Sequence, residues 1–251
     1  MSEPILEVDR ITKSFGPIRA IDGISLTVSP GEVVGLVGDN GAGKSTLVKI
    51  ISGVYAPTSG EVRLENRPVY FANPADARRA GIETVYQDLA LCNNLDVAQN
   101  FFLGRERLVQ GPARLFGALK LHEMRTEAAM AIRNLHIRIP GLASNLIGEM
   151  SGGQRQAVAI ARAAFWNSKL LLLDEPTAAL GVAESAEVAR LIRDMSVRGM
   201  SMLIISHNMQ EVWALCDRIV VLRQGHHAAT LVKNETTPER VVGYITGARA
   251  A

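Results

Sequence analysis

The chain has only two cysteines, Cys92 and Cys216, in 251 residues, and aromatic residues make up 5% of it. Two cysteines so far apart match no metal-ligand spacing. Idle thiols in a reducing compartment are the expectation, not a disulfide framework. No stretch reaches the roughly 18 uninterrupted apolar residues of a spanning helix, so a membrane role has to come through a partner. A dominant charge is missing too: 27 basic against 25 acidic residues leave a net charge of +2. Binders of nucleic acid usually show a strongly basic face, so nucleic acid is not expected as a partner. Residues 1–9 carry acids and lack the basic-then-apolar order of a secretory signal, which predicts a cytosolic chain.

What is present is an ordinary globular composition, 47% hydrophobic and 21% charged, at a length that buries a substantial core. Residues 5–8 and 20–26 show the partial alternation of strands, and Pro30-Gly31 breaks the chain as a turn does. Val33–Val37 is a near-continuous apolar run ending at Gly38, as a buried parallel strand requires. Similar runs at residues 170–173 and 202–205 end at Asp174 and at Ser206-His207. Buried strands with polar C-terminal ends predict an open α/β sheet whose ligand lies along that edge. Between them, residues 120–133 place Leu121, Met124, Ala128 and Ile132 at helical spacing. Residues 88–151 therefore read as a helical lobe inserted into the core, punctuated by Gly111-Pro112 and Pro140-Gly141.

Gly38-Asp39-Asn40-Gly41-Ala42-Gly43-Lys44-Ser45 fits the G-x-x-x-x-G-K-[ST] phosphate-loop pattern. Its context is the required one, a buried strand before it and a helix over residues 46–51 after it. Glycines let successive N–H groups curl around phosphate oxygens, and the helix start adds unpaired N–H groups and a positive dipole end. Lys44 would reach the β- and γ-phosphates, and the Ser45 hydroxyl would ligate Mg²⁺. Asp174, at a strand end beside this loop, is placed to hold Mg²⁺ through its water shell. Glu175 would polarise an attacking water, which separates a hydrolase from a kinase. Ser151 and Gln154 form a capping box at the start of another helix, with Ala157, Ile160, Ala161, Ala164 and Phe165 along one face. Capping does not account for Gly152-Gly153, which weakens a helix but would admit a phosphate closely.

Residues 150–156, Met150-Ser151-Gly152-Gly153-Gln154-Arg155-Gln156, resemble the LSGGQ signature of the ATP-binding-cassette (ABC) family. Met150 replaces the usual leucine at similar volume. The order of phosphate loop, Gln87, signature, Asp174-Glu175 and His207 is similar to that family over nearly the whole chain. The resemblance implies an α/β ABC ATPase fold: a P-loop NTPase core with a parallel sheet, an N-terminal antiparallel β subdomain and an inserted α-helical subdomain. One ABC ATPase domain would span residues 1–251, with residues 1–87 and 152–251 as core and β subdomain and 88–151 as the lobe.

The resemblance further implies two ATPs sandwiched by a head-to-tail homodimer, or by a dimer with a homologous cassette. Gly38, Asp39, Asn40, Gly41, Ala42, Gly43, Lys44, Ser45 and Thr46 of one copy would face Ser151, Gly152, Gly153 and Gln154 of the other. It implies contact of Gln87 with Mg²⁺ and the attacking water, of His207 with the γ-phosphate, and stacking of Phe15 on adenine. Without it, Phe15 reads as a core side chain. Where most of the family has an aspartate that reaches across the dimer, this chain has Gly181, which puts communication between the two sites in doubt.

Residues 91–106 directly follow Gln87, and Phe101-Phe102 within them offer surface for a partner helix. The lobe's own core is the competing assignment. This stretch and residues 175–181 resemble the monosaccharide-importer branch of the family, which implies integral-membrane permease subunits, a solute-binding protein and a position on the cytoplasmic side of the inner membrane. An importer for another small solute and a soluble, non-transport cassette ATPase remain the alternatives.

Overall fold

The computed structural model describes residues 3–111, 117–137, 144–166 and 168–248. Two sheets organise them. An antiparallel sheet in the order β2-β1-β4-β5 joins β1 (Leu6–Phe15), β2 (Ile18–Val28), β4 (Ser59–Leu64) and β5 (Arg67–Val69). The strands expected over residues 5–8 and 20–26 are thus parts of two longer ones. The second sheet has the order β10-β9-β3-β8-β7-β6. Its members are β3 (Val33–Val37), β6 (Ile82–Val85), β7 (Leu170–Asp174), β8 (Ser201–Ile205), β9 (Arg218–Arg223) and β10 (His226–Val232). Five run parallel, and only the edge strand β10 is antiparallel.

Side chains of these parallel strands alternate between two apolar clusters. Val34, Leu36, Leu170, Leu172, Leu203 and Ile205 face a cluster shared with the antiparallel sheet and with α1 (Lys44–Ile51). Val33, Val37, Leu171, Leu173, Met202 and Ile204 face the other. That cluster also holds side chains of α6 (Val182–Val197), α7 (Met209–Leu215) and α8 (Pro238–Thr246). Both faces are covered, which is why these runs read as continuous hydrophobic segments and not as alternating ones. Register aligns their C-terminal ends: Leu36 pairs with Ile205, Asp174 with Ile205, and Val85 with Leu173. Strand β8 lies between β3 and β7, so Ser206 and His207 emerge between the phosphate loop and Glu175.

A third cluster gathers α3 (Val97–Phe102), α4 (Leu121–Asn134) and α5 (Gly152–Phe165). Here three expectations are corrected. Phe101 and Phe102 are 1% and 0% exposed, so of the two assignments the lobe core holds and the docking surface does not; Phe102 packs edgewise on Phe165 and Trp166, and the Phe101 ring lies tilted on Phe165. Leu121 is 38% exposed while Met124, Ala128 and Ile132 are buried, because the helix turns its first residue outward. Helix α5 is not one-faced: Ala159, Ile160 and Ala163 serve the sheet cluster while Val158 and Ala161 serve the lobe cluster. Its remaining apolar residues Ala157, Ala164 and Phe165 are only partly buried. Of the two turn pairs, Pro112, Pro140 and Gly141 lie outside the described residues. Both thiols are free, and Cys216 is buried.

Candidate active site

Gly43 precedes helix α1 as its N-cap with a left-handed φ of 100°, and no side chain caps the helix. Its first-turn N–H groups therefore remain for a ligand. Gly38 has φ 152°, and a Cβ there would collide with the Leu222 carbonyl, so the loop can pass this close to β9 only as glycine. Lys44 is buried and donates to the carbonyls of Gly38 at 2.6 Å and Asp39 at 3.0 Å. Burial lowers its pKa against the opposing effect of Glu175, Asp39 and Asp174. In this chain the ammonium is thus held over the loop by main-chain oxygens, poised to exchange them for phosphate oxygens.

Asp174 ends β7 and Glu175 comes next in the left-handed region, φ 50°. That conformation is unfavourable for a residue with a Cβ by roughly 1 kcal/mol. It also breaks the strand alternation that would send adjacent side chains to opposite faces. Both carboxylates line one cleft of about 520 Å³ together with Gly41, Gly43, Lys44, Ser45, Thr46 and Gln87. Burial raises the Asp174 pKa, the Glu175 charge adds to this, and Lys44 and Lys49 oppose it. A second cleft, of about 680 Å³, is lined by Gly38, Asp39, Asn40, Glu175 and His207, and meets the first at Asn40 and Glu175. His207 Nδ1 lies 2.9 Å from Glu175 Oε1; the ring nitrogen donates, because an ionised carboxylate only accepts.

Phe15 is 42% exposed and so is not core. It stands edge-on to Tyr55 at 5.3 Å, with the Lys13 ammonium 5.2 Å from its ring. The cleft itself is lined by Ile18, its cross-strand partner, and by Arg19, Ala20 and Gln224. Those four were missed from the sequence, where a hairpin after Phe15 was the only available hint.

The signature forms the expected capping box: Gln154 N–H donates to Ser151 Oγ at 3.3 Å, and Ser151 N–H to Gln154 Oε1 at 3.0 Å. None of Ser151, Gly152, Gly153 or Gln154 lines either cleft, so one copy does not bring its own signature to its own phosphate loop. Three further side chains join these segments and carried no local signal. Arg162 of α5 donates to the Leu89 and Ala90 carbonyls just past Gln87. Glu211 accepts from Ser206 Oγ beside His207. Glu184 of α6 accepts from Gly153 N–H.

A family model described as ABC transporter matches residues 21–178. The chain is 43% identical to the fructose import ATP-binding protein FrcA of Rhizobium meliloti, covering 98% of this chain and 95% of that one. It is 44% identical to the xylose/arabinose import ATP-binding protein XylG of Sulfolobus acidocaldarius, covering 96% and 94%. Against the ribose import ATP-binding protein RbsA of Yersinia pestis, identity is 42% over 97% of this chain but 46% of the relative. Among solved structures, the ADP conformation of the ABC-transporter cassette MJ1267 superposes with a TM-score of 0.82 at 28% identity, covering 98% and 96%. A post-hydrolysis dimer of the cassette MJ0796 bound to ADP and Pi gives 0.74 at 25% identity, covering 91% and 98%. With a family model over residues 21–178 and near-full-length relatives above 40% identity, the chain belongs to the ABC transporter family.

Proposed function

We propose that this chain is the ATP-hydrolysing subunit of a monosaccharide importer, acting as a head-to-tail pair of cassettes on the cytoplasmic side of the inner membrane beneath separate permease subunits. The observation that carries the proposal is near-full-length identity to the fructose and xylose/arabinose import ATP-binding proteins, with Glu175 and His207 both present.

The residues fit ATP with Mg²⁺. No group of three or more His, Cys, Asp or Glu that could hold a metal occurs among the described residues. A cation at the cleft would thus be held chiefly by phosphate oxygens and water, with Ser45 Oγ, Asp174 and Gln87 completing its surroundings. Bound there, Mg²⁺ supplies charge neutralisation on the β- and γ-phosphates. The loop N–H groups and Lys44 bind the phosphates, and Phe15 supports the adenine. Glu175 takes a proton from water as the water oxygen bonds to the γ-phosphorus. The bond to the β-phosphate oxygen breaks, and ADP leaves with that electron pair. His207 orients Glu175 and meets the γ-phosphate. Ser151, Gly152, Gly153 and Gln154 of the second copy close the site from outside.

A cleft of about 620 Å³ lined by Val54, Tyr86, Leu103, Arg105 and Trp166 among others would receive the permease. There the Arg105 guanidinium pairs with Glu83 at 2.8 Å and lies over the Trp166 ring. The lobe over residues 88–151 would carry movement from Gln87 to this cleft, through the bonds of Arg162 to the Leu89 and Ala90 carbonyls. Co-purification with a membrane subunit, then ATP turnover with the matching binding protein, tests the assignment. Stimulation by fructose, xylose or ribose is expected, and stimulation by amino acids alone would replace the sugar with another solute.

Gly181 caps α6 in an extended conformation, and an added Cβ would meet only Glu184 Oε2, at 3.9 Å. Gly181→Asp therefore fits without rebuilding the chain and restores a carboxylate facing the partner. It is expected to change the Hill coefficient of ATP turnover in the assembled transporter more than the single-site rate. An unchanged coefficient counts against a role for this position in linking the sites.

A further inference from the structure

Glu184 stands in the first turn of α6, and its carboxylate serves donors on two separate segments. Oε1 accepts from Gly153 N–H at 3.2 Å, and Oε2 accepts from Gly181 N–H at 3.3 Å. The Ser151 hydroxyl beside this carboxylate first, then the N–H groups of Gly153 and Gly181, hold its pKa below the ordinary glutamate value. The approach is tight. A Cβ on Gly153 would lie 2.8 Å from Glu184 Cβ, and one on Gly152 would lie 3.0 Å from Leu180 Cδ2. Gly153 is therefore demanded by packing within one subunit, independently of any phosphate, whereas at Gly152 only the tip of the Leu180 side chain would have to move.

Ser151 and the opening N–H groups of α5 are also the donors that the head-to-tail reading assigns to the partner's γ-phosphate. We propose that Glu184 is the positioning residue of this half-site, whose carboxylate holds in the free subunit the hydrogen bonds that the partner's γ-phosphate takes in the closed pair. The inference rests on the head-to-tail reading. A donor already bonded to a carboxylate is not free for phosphate, and two anions sharing one helix start repel as the interface dries. Closure then requires Gly153 N–H to pass from Glu184 to phosphate, with the neighbouring Ser151 hydroxyl turning to the same oxygens. Glu184 keeps Gly181 N–H as it yields, so the arrival of the partner's nucleotide is felt in the segment that begins at Glu175. That segment is short and internally bonded, Ala178 N–H to the Glu175 carbonyl and Leu180 N–H to the Thr177 carbonyl.

The test is the ATP-dependent dimer dissociation constant, measured by sedimentation in protein carrying Glu175→Gln, with and without Glu184→Gln. The amide removes the charge while keeping the size, and is expected to tighten the dimer about tenfold, the scale of one screened charge contact at each site. Glu184→Ala is expected to shift the constant in the same direction even though its Tm falls, because α6 loses the bond back to Gly181. In protein with Glu175 intact, the KM for ATP should drop with no rise in kcat. A role confined to tying the fold predicts the opposite: a looser dimer in step with the lower Tm, and that result overturns the inference. A dimer that neither variant tightens overturns it as well. Failure of Glu175→Gln alone to dimerise with ATP would defeat the head-to-tail reading itself, and this inference with it.

Discussion

Glu175→Gln is expected to bind ATP normally, to lose turnover by roughly 10²–10⁴-fold, and to accumulate as a closed dimer. The size stems from the role. Glu175 reaches the cleft from the left-handed turn after β7, with His207 Nδ1 2.9 Å from Oε1. The amide keeps the volume but cannot accept the proton of an attacking water. Asp174 cannot stand in for it. That carboxylate ends the strand, with its pKa raised by burial and by Glu175, and it lines the cleft with Ser45 and Gln87, the residues proposed to surround Mg²⁺. Phosphate release measured beside nucleotide binding checks both halves of the expectation. Vigorous turnover in the variant would remove Glu175 from the base role and leave His207 without a partner to orient.

Lys44→Ala is expected to cut turnover by about 10²–10³-fold, the loss typical when one preorganised donor to developing charge is removed, and to raise the KM for ATP. The chain should still fold. Among the described residues the buried ammonium bonds to the loop carbonyls of Gly38 and Asp39, and the burial that lowers its pKa is a cost of holding the charge there, which the substitution removes. Calorimetric titration with ATP and a thermal melt separate the two effects. Near-normal KM and kcat together with a collapsed Tm would make Lys44 a structural residue instead.

How much of this was legible in the sequence depends on how far apart the cooperating residues lie. The phosphate loop needs only eight consecutive residues and a strand before them, and it folds as those residues dictate. Asp174-Glu175 and Ser206-His207 are likewise strand ends, and parallel pairing of β3, β8 and β7 brings them to one edge once the runs are recognised as buried strands. Strands β6 and β9 were not foreseen, although their pairing completes that edge. Phe101 and Phe102 were offered as a docking surface because a short apolar stretch does not say which face its partner covers; the partners, Phe165 and Trp166, come from the end of α5. The same non-locality hid the two-sided burial of α5, since a 3.6-residue period picks out a single face. Glu184 meets Gly153 across 31 positions, and with glycine at the cap of α6 there was no Ser or Thr to mark the capping pattern. Phe15 was assigned to adenine or to the core, and the structure gives it a half-open place beside Tyr55, with Ile18 on the cleft wall.

The central claim is that one working site takes its phosphate loop from one copy and its signature from another. Mixing two inactive proteins tests it most directly: Lys44→Ala, with a disabled phosphate loop, and Ser151→Asp, which keeps a good helix cap but sets a negative charge where the partner's phosphate arrives. Each alone should be nearly inert. Random pairing makes half of the dimers mixed, and each mixed dimer holds one site built from an intact loop and an intact signature. The mixture is therefore expected to regain about a quarter of wild-type ATP turnover per chain. A mixture as inactive as its parents would contradict the shared site.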